Sequence, residues 1–266
     1  MEFGAGVANT LDQISKCFCV LFSKSTACLR RWLMDLSVRS TLPEVMDDDG
    51  LHEAVYQRCL TDLAAVNRVT FTHRPTLRWL AEVTKDLAPG AAFSLLDVAY
   101  GHGDLLRAIA VWAARRGLRA ELSGIDLNPR SAVAARLATP EGMAVSYHTG
   151  DVFFYTPEVR PDFIVSSQFT HHLTNSQVVE LLRWFEKTSL RGWHIADLQR
   201  HFFAYYGFRI LCRAMRWHPI VRIDGTISIA RGFRRAEWRA LIEQAGVRAK
   251  ISWAFAFRLC VSGVKA

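Results

Sequence analysis

Three carboxylates and a pair of histidines offer the most chemistry in this chain. Asp97 lies within LLDVAYGHGD (Leu95–Asp104), where an apolar run meets Gly101-x-Gly103. Asp126 closes the stretch SGID, and Asp151 stands in TGDVFF. A glycine turn that opens a helix brings backbone N–H groups and a helix N-terminus up to a ligand. An acid at the end of a strand can accept hydrogen bonds from ribose hydroxyls, the role open to Asp126. An acid after the next strand can accept from an adenine amino group, the role open to Asp151. Asp97 discriminates best, because an acid before the glycine turn repels a pyrophosphate and suits a cation or an ammonium group. His171 and His172 are adjacent in SSQFTHHL. Imidazole titrates near neutral pH, so either ring can take a proton from a reacting group.

These residues need a scaffold that gathers strand ends. Helical spacing marks Leu51–Val66 and a second helix from Pro75 that stops at Pro89-Gly90. From Ala92 the pattern alternates. Strands are predicted at Phe93–Ala99, Ala120–Ile125, Ala144–His148, Phe163–Ser166 and His194–Asp197. Helices are predicted at Asp104–Arg116, at Pro129–Leu137 with Asn128 as N-cap, and from Thr174 to Phe185. In that last case Thr174 with Gln177 makes a capping box and Leu173 with Val178 a hydrophobic staple. A final helix, Ala236–Ala245, ends at Gly246, and Val247–Phe257 and Leu259–Val264 are spaced to pair as a hairpin. This alternation implies an α/β fold, a mostly parallel sheet with helices on both faces.

Glycine turns also serve dinucleotide enzymes, but G-x-G-x-x-G is incomplete here, with Leu106 at the third glycine position. Asp126 fits either cofactor class. Asp97 and Asp151 favour a sulfonium cofactor that carries an adenosine and an amino-acid tail. In order along the chain, LLDVAYGHGD, SGIDLNP, TGDVFF and PDFIVSSQFTHHLT resemble the successive motifs of the class I S-adenosylmethionine-dependent methyltransferases. The resemblance spans roughly Phe93 to Asp197, and the segment from Arg235 fits that family's last helix and hairpin. It implies a Rossmann-like seven-stranded sheet with an antiparallel last strand, S-adenosylmethionine as cofactor, and methyl transfer. By the same resemblance Asp97, Gly101 and Gly103 surround the methionine part of the cofactor. Asp126 holds the ribose with Leu127 beside adenine, Asp151 and Val152 contact adenine, and Gln168 lies where cofactor meets acceptor. Ala99 and Tyr100 depart from it, since the family commonly has glycine and a small residue there.

Methyl transfer is an in-line displacement, so positioning dominates. His171 and His172 are the candidate catalytic bases, for an O- or C-directed reaction. His73 and Arg74 lie between the two N-terminal helices, which in related enzymes cover the cofactor, and Arg74 is a candidate partner for the cofactor carboxylate.

Leu198–Arg235 interrupts the alternation. Phe202, Phe203, Tyr205, Tyr206 and Phe208 crowd together, while Arg209, Arg213 and Arg216 recur at helical spacing and Phe203, Tyr206, Ile210 and Ala214 fall on another face. The segment predicts an inserted amphipathic lid over an aromatic pocket for a small apolar or phenolic acceptor, either anionic or presented at a membrane surface. It is similar to the corresponding region of quinone and polyketide-type methyltransferases, a link to secondary metabolism.

Composition sets the remaining bounds. Of 266 residues half are hydrophobic and 22% charged, enough for a real core. The net charge of +8 admits nucleic acid, a membrane surface or an anionic substrate. Nucleic-acid amino-methylating enzymes often carry an Asn-Pro-Pro-Tyr-type motif after the fourth strand, and SSQFTHHL argues against that partner. An RNA or protein methyltransferase, or an inactive partner that keeps the fold, are the alternative readings. The six cysteines (Cys17, Cys19, Cys28, Cys59, Cys212, Cys260) have no CxxC spacing and no histidine pattern to complete a zinc site. They read as free thiols in a reducing compartment, with no metal. No apolar stretch reaches the ~20 residues of a membrane helix, and Cys17–Phe22 is too short for a signal-peptide core, which points to the cytoplasm. Residues 1–45 read as an extension, poorly ordered or with an amphipathic helix over Leu11–Leu36, and 46–266 as the methyltransferase domain. Within that domain, 46–90 forms a helical cap and 198–235 the lid.

Overall fold

The computed structural model describes residues 34–48 and 50–265. The expected helix at Leu11–Leu36 and the thiols Cys17, Cys19 and Cys28 lie outside them or at their edge. Of the two units into which the chain divides, the larger spans residues 39–266. The expected division at residue 45 therefore falls inside the larger unit. The reason is local: Val45 N and Met46 N both donate to the buried Asp224 carboxylate at 2.9 Å.

The larger unit opens with helices α1 (Glu53–Val69) and α2 (Arg74–Val83). Strands and helices then alternate through β1 (Ala92–Val98), α3 (Asp104–Arg115), β2 (Arg119–Asp126), α4 (Pro129–Ala138), β3 (Val145–Thr149), β4 (Phe163–Ser167), α5 (Asn175–Thr188) and β5 (Gly192–Leu198). Helices α6 (Phe202–Met215), α7 (Pro219–Arg231) and α8 (Arg235–Ala245) precede the terminal pair β6 (Lys250–Ala254) and β7 (Arg258–Val264). The seven strands form one sheet in the order β3-β2-β1-β4-β5-β7-β6. β3, β2, β1, β4 and β5 pair in parallel, and β7 is antiparallel to both its neighbours, β5 and β6. This is the expected architecture.

Neighbouring residues on a strand face opposite sides, so the sheet has two cores. Leu96, Val98, Ile164, Trp193 and Ile195 pack beneath α5 and α8, through Leu181, Phe185 and Trp238. Leu95, Phe93, Phe163 and Val165 pack beneath α2, α3 and α4, through Leu80, Leu106 and Ala135. The α5 start follows its sequence. Thr174 and Gln177 exchange the two bonds of a capping box, while Leu173 and Val178 are buried together.

The inserted segment forms two helices. His218 caps α7 and Pro219 opens it, while Arg216 adopts a left-handed conformation (φ 53°) past the end of α6, off the arginine face expected of it. Cys212, Trp217 and Val221 seat the pair on Cys59 and Val66 of α1. Tyr205 and Cys212 face inward, whereas Phe203, Ile210 and Ala214 face outward.

Candidate functional site

In an open parallel sheet, ligands bind beyond the C-terminal strand ends where the strand order reverses, here between β1 and its neighbours β2 and β4. A cavity of about 410 Å³ lies at that place, floored by the ends of β1, β4 and β5 and roofed by α6 and α7. Asp97, Gly101, Gln168, His171 and His172 all line it. Gly103, Asp126, Leu127, Asp151 and Val152 do not.

The loop after β1 turns through three left-handed positions, Ala99 (φ 62°), Gly101 (φ 51°) and Gly103 (φ 73°). Glycine adopts this conformation freely and alanine does so with strain, which is why Ala99 is the costly letter of the motif. Open space lies beyond Gly101, so its backbone is free to meet a ligand. Gly103 has a packing reason as well: a Cβ there would stand 2.7 Å from the Tyr147 hydroxyl. Tyr100 is likewise explained. Its buried ring fills the space left by Gly124, where a Cβ would meet it at 2.6 Å, and its hydroxyl donates to His148 O at 3.2 Å.

Asp97 is almost wholly buried, and its Oδ1 has no hydrogen-bond partner. Burial above all, then the carboxylates of Asp104 and Asp126, raise it well above the ordinary range. Such a group is expensive unless something cationic joins it. Beside it runs a polar chain. Gln168 Nε2 donates to Asn67 Oδ1 at 2.7 Å, Asn67 Nδ2 donates to Asp104 Oδ2 at 3.0 Å, and His73 Nε2 meets the same oxygen at 3.0 Å. Burial pushes the Asp104 carboxyl up, but His73 and Asn67 outweigh it and hold it below its usual range. His73 lines the cavity, whereas the candidate Arg74 does not and lies over the Phe71 ring.

Asp126 accepts from Gly101 N and from Asn128 N, both at 2.9 Å, so it fastens the glycine turn to the start of α4. Leu127 beside it is 72% exposed, an apolar side chain largely open to solvent. Asp151 Oδ1 accepts from Phe153 N at 3.0 Å, and Val152 is in the core.

The histidines sit on a single helical turn after β4, their rings 4.3 Å apart. His171 is buried, with Nδ1 2.8 Å from Asp197 Oδ1 and Nε2 3.6 Å from Glu44 Oε1. Thr170 Oγ1 and His171 N also donate to Asp197. Burial disfavours the His171 imidazolium, but Asp197 and then Glu44 outweigh it and push the ring up to about 9. His171 is therefore a cation at neutral pH, not a free base. His172 is more open, with ring nitrogens 3.8 Å from Glu44 and 3.6 Å from Asp47. Two arginines clamp the turn by its carbonyls. Arg39 Nη2 donates to His171 O and Leu173 O at 2.6 and 2.7 Å, and Arg231 reaches His171 O and His172 O at 3.2 Å. Glu44, Asn67, Arg39 and Arg231 carried no local signal in the sequence. Each acts on partners far along the chain.

Much of the remaining wall is apolar, from Leu60 and Leu63 of α1, Phe203, Phe208 and Leu211 of α6, and Ile229 of α7. The arrangement brings together a buried carboxyl group at the end of β1, an adjacent imidazole at His172 and an apolar chamber beyond.

No family model and no curated protein matches the chain. Solved structures do share its fold. The plantazolicin methyltransferase BpumL, solved with a triazolic desmethylPZN analog and SAH, superposes with a TM-score of 0.59 at 14% identity, over 78% of this chain and 90% of that one. Human N-acetylserotonin methyltransferase, solved with SAM, gives 0.54 at 14% identity, over 80% of this chain and 56% of that one. The plantazolicin methyltransferase BamL gives 0.54 at 14% identity, over 74% and 72%. The fold is thus the Rossmann-like methyltransferase fold.

Proposed function

We propose that this protein is an S-adenosylmethionine-dependent methyltransferase acting on a small apolar or phenolic molecule. The observation that carries the reading is Asp97, a buried carboxylate with an unpartnered oxygen facing the cavity at the strand-order switch. A cationic amino-acid tail satisfies it and a pyrophosphate does not. When bound, S-adenosylmethionine supplies a methyl group already activated by its sulfonium.

The chain's own residues do the rest. Asp97 and the open backbone at Gly101 receive the ammonium end, and Gln168 marks the junction with the acceptor. Asp126 keeps accepting capacity on both oxygens for ribose hydroxyls, with Leu127 presenting an apolar surface to adenine and Asp151 with Val152 at its edge. Gly103 serves by shaping the turn. The apolar wall excludes water and orients the acceptor, which is where most of the rate comes from. His172 takes the acceptor's proton, and Glu44 and Asp47 stabilise the imidazolium so formed. His171 is a positioning residue: fixed as a cation between Asp197 and Glu44, it holds Glu44 under its neighbour. A roofed apolar chamber suits a small molecule better than a nucleic-acid strand.

Calorimetry with S-adenosylmethionine and NAD(H) tests this directly. Wild type binds the first and not the second, and Asp97→Asn and Asp126→Ala each lose at least tenfold in affinity. His172→Ala keeps its cofactor affinity and loses about 10²-fold or more in turnover, the usual worth of a general base. Absence of S-adenosylmethionine binding by wild type refutes the proposal.

A further inference from the structure

The outer face of α6 is left apolar by the fold. Phe203, Gly207, Ile210 and Ala214 follow at helical spacing, and all four are exposed, Ile210 to 71%. The stripe continues onto the β6–β7 hairpin through ring contacts: Phe203 meets His201, His201 stacks on Phe257, and Phe257 touches Trp253, itself 52% exposed. Phe255, 66% exposed, stands in the same hairpin turn. Large exposed aromatic and aliphatic side chains gathered in one patch mark a contact surface rather than ordinary surface scatter.

Charge says what the contact is. α6 has no acidic residue, and the only acid between residues 198 and 235, Asp224, is buried. Arg209 and Arg213 run along the exposed side of the helix beside the apolar stripe, and Arg216 follows it. An apolar stripe flanked by a row of arginines is the signature of a helix lying in an anionic membrane interface, apolar face down and guanidinium groups among the headgroups. Among the described residues no helix is long and apolar enough to cross a membrane, so the contact is peripheral.

We propose that the outer face of α6, with the β6–β7 turn, docks this protein on an anionic lipid surface. Phe203 and Phe255 belong at once to the patch and to the cavity lining, so the docked face is also the mouth of the chamber. An apolar acceptor dissolved in the bilayer then enters without crossing water. That consequence rests on the methyltransferase reading, whereas the docking itself does not.

Vesicle flotation of the full chain tests it. The protein floats with equimolar phosphatidylcholine–phosphatidylglycerol vesicles and not with phosphatidylcholine alone, and added salt weakens the binding. Ile210→Glu, outside the cavity lining, lowers partitioning at least tenfold while leaving S-adenosylmethionine affinity unchanged. Arg209→Gln with Arg213→Gln lowers it about fivefold per arginine removed. No flotation on anionic vesicles overturns the proposal, as does an Ile210→Glu variant that floats like wild type. So does a wild-type dimer in solution that Ile210→Glu converts to monomer, since a second copy then covers the face. Flotation without cofactor binding keeps the docking surface and removes the enzymatic reading.

Discussion

At the scale of residues, the informative groups are those the fold holds in an unfavourable state. Asp97 is raised by burial first and by two neighbouring carboxylates after it, so it is protonated over a wider range than an ordinary aspartate. A cation delivered to its unpartnered oxygen restores the charge and expels the proton. Net proton release on S-adenosylmethionine binding is therefore expected, read as a dependence of the calorimetric heat on buffer ionisation enthalpy, and absent from whatever binding Asp97→Asn retains. The three acids, the glycine turn and the histidine pair stand out in the sequence because each belongs to a short local motif. Glu44, Asn67 and the two clamping arginines were not, since their partners lie in other elements. Tyr100 looked out of place on its own. Its reason is Gly124, 24 positions later, whose missing side chain makes room for the ring.

At the scale of elements, periodicity and caps located every helix and strand of the alternating region. The capping box at Thr174 is the strongest local signal, and it fixes the helix that follows the histidine turn. Thr174→Ala is expected to cost about 1 kcal/mol of stability, measured as a lower urea midpoint with an unchanged slope. The lid was harder to read. His218-Pro219 is an N-cap and first-turn proline like Asn128-Pro129, a boundary signal overshadowed in the sequence by the aromatic and arginine run around it. Nor did composition separate working arginines from exposed ones. Arg200 is buried against Gly232 O and Glu237, and Arg231 serves the histidine turn, so part of the basic excess is internal.

At the scale of the whole molecule, the buried ion pair between His171 and Asp197 gives folding stability a definite pH profile. His171 rises in the fold from its ordinary 6.5 to about 9, so its contribution is complete below 6.5 and lost as pH climbs through 9. Asp197 is pulled up by burial but held down by His171, to about 2 against an ordinary 3.8. Its contribution is complete above 3.8 and lost as pH falls through 2. The difference in thermal midpoint between wild type and His171→Gln should therefore be largest from about pH 4 to 6.5 and shrink towards pH 9. A constant difference across that range would assign the variant's loss to packing instead.

The double arginine clamp bears on how this protein could be remodelled. Arg39 Nε donates to Arg231 O at 2.6 Å while its other nitrogen holds the carbonyls of the histidine turn. Roof and histidine turn are thus one mechanical piece. Exchanging residues 202–231 for the corresponding segment of another protein would not simply change which molecule is accepted, because it would also release the histidines from their setting. Redesign of the chamber has its freest positions on the wall, at Leu63, Phe208 and Leu211, where side chains can be resized without touching the joint.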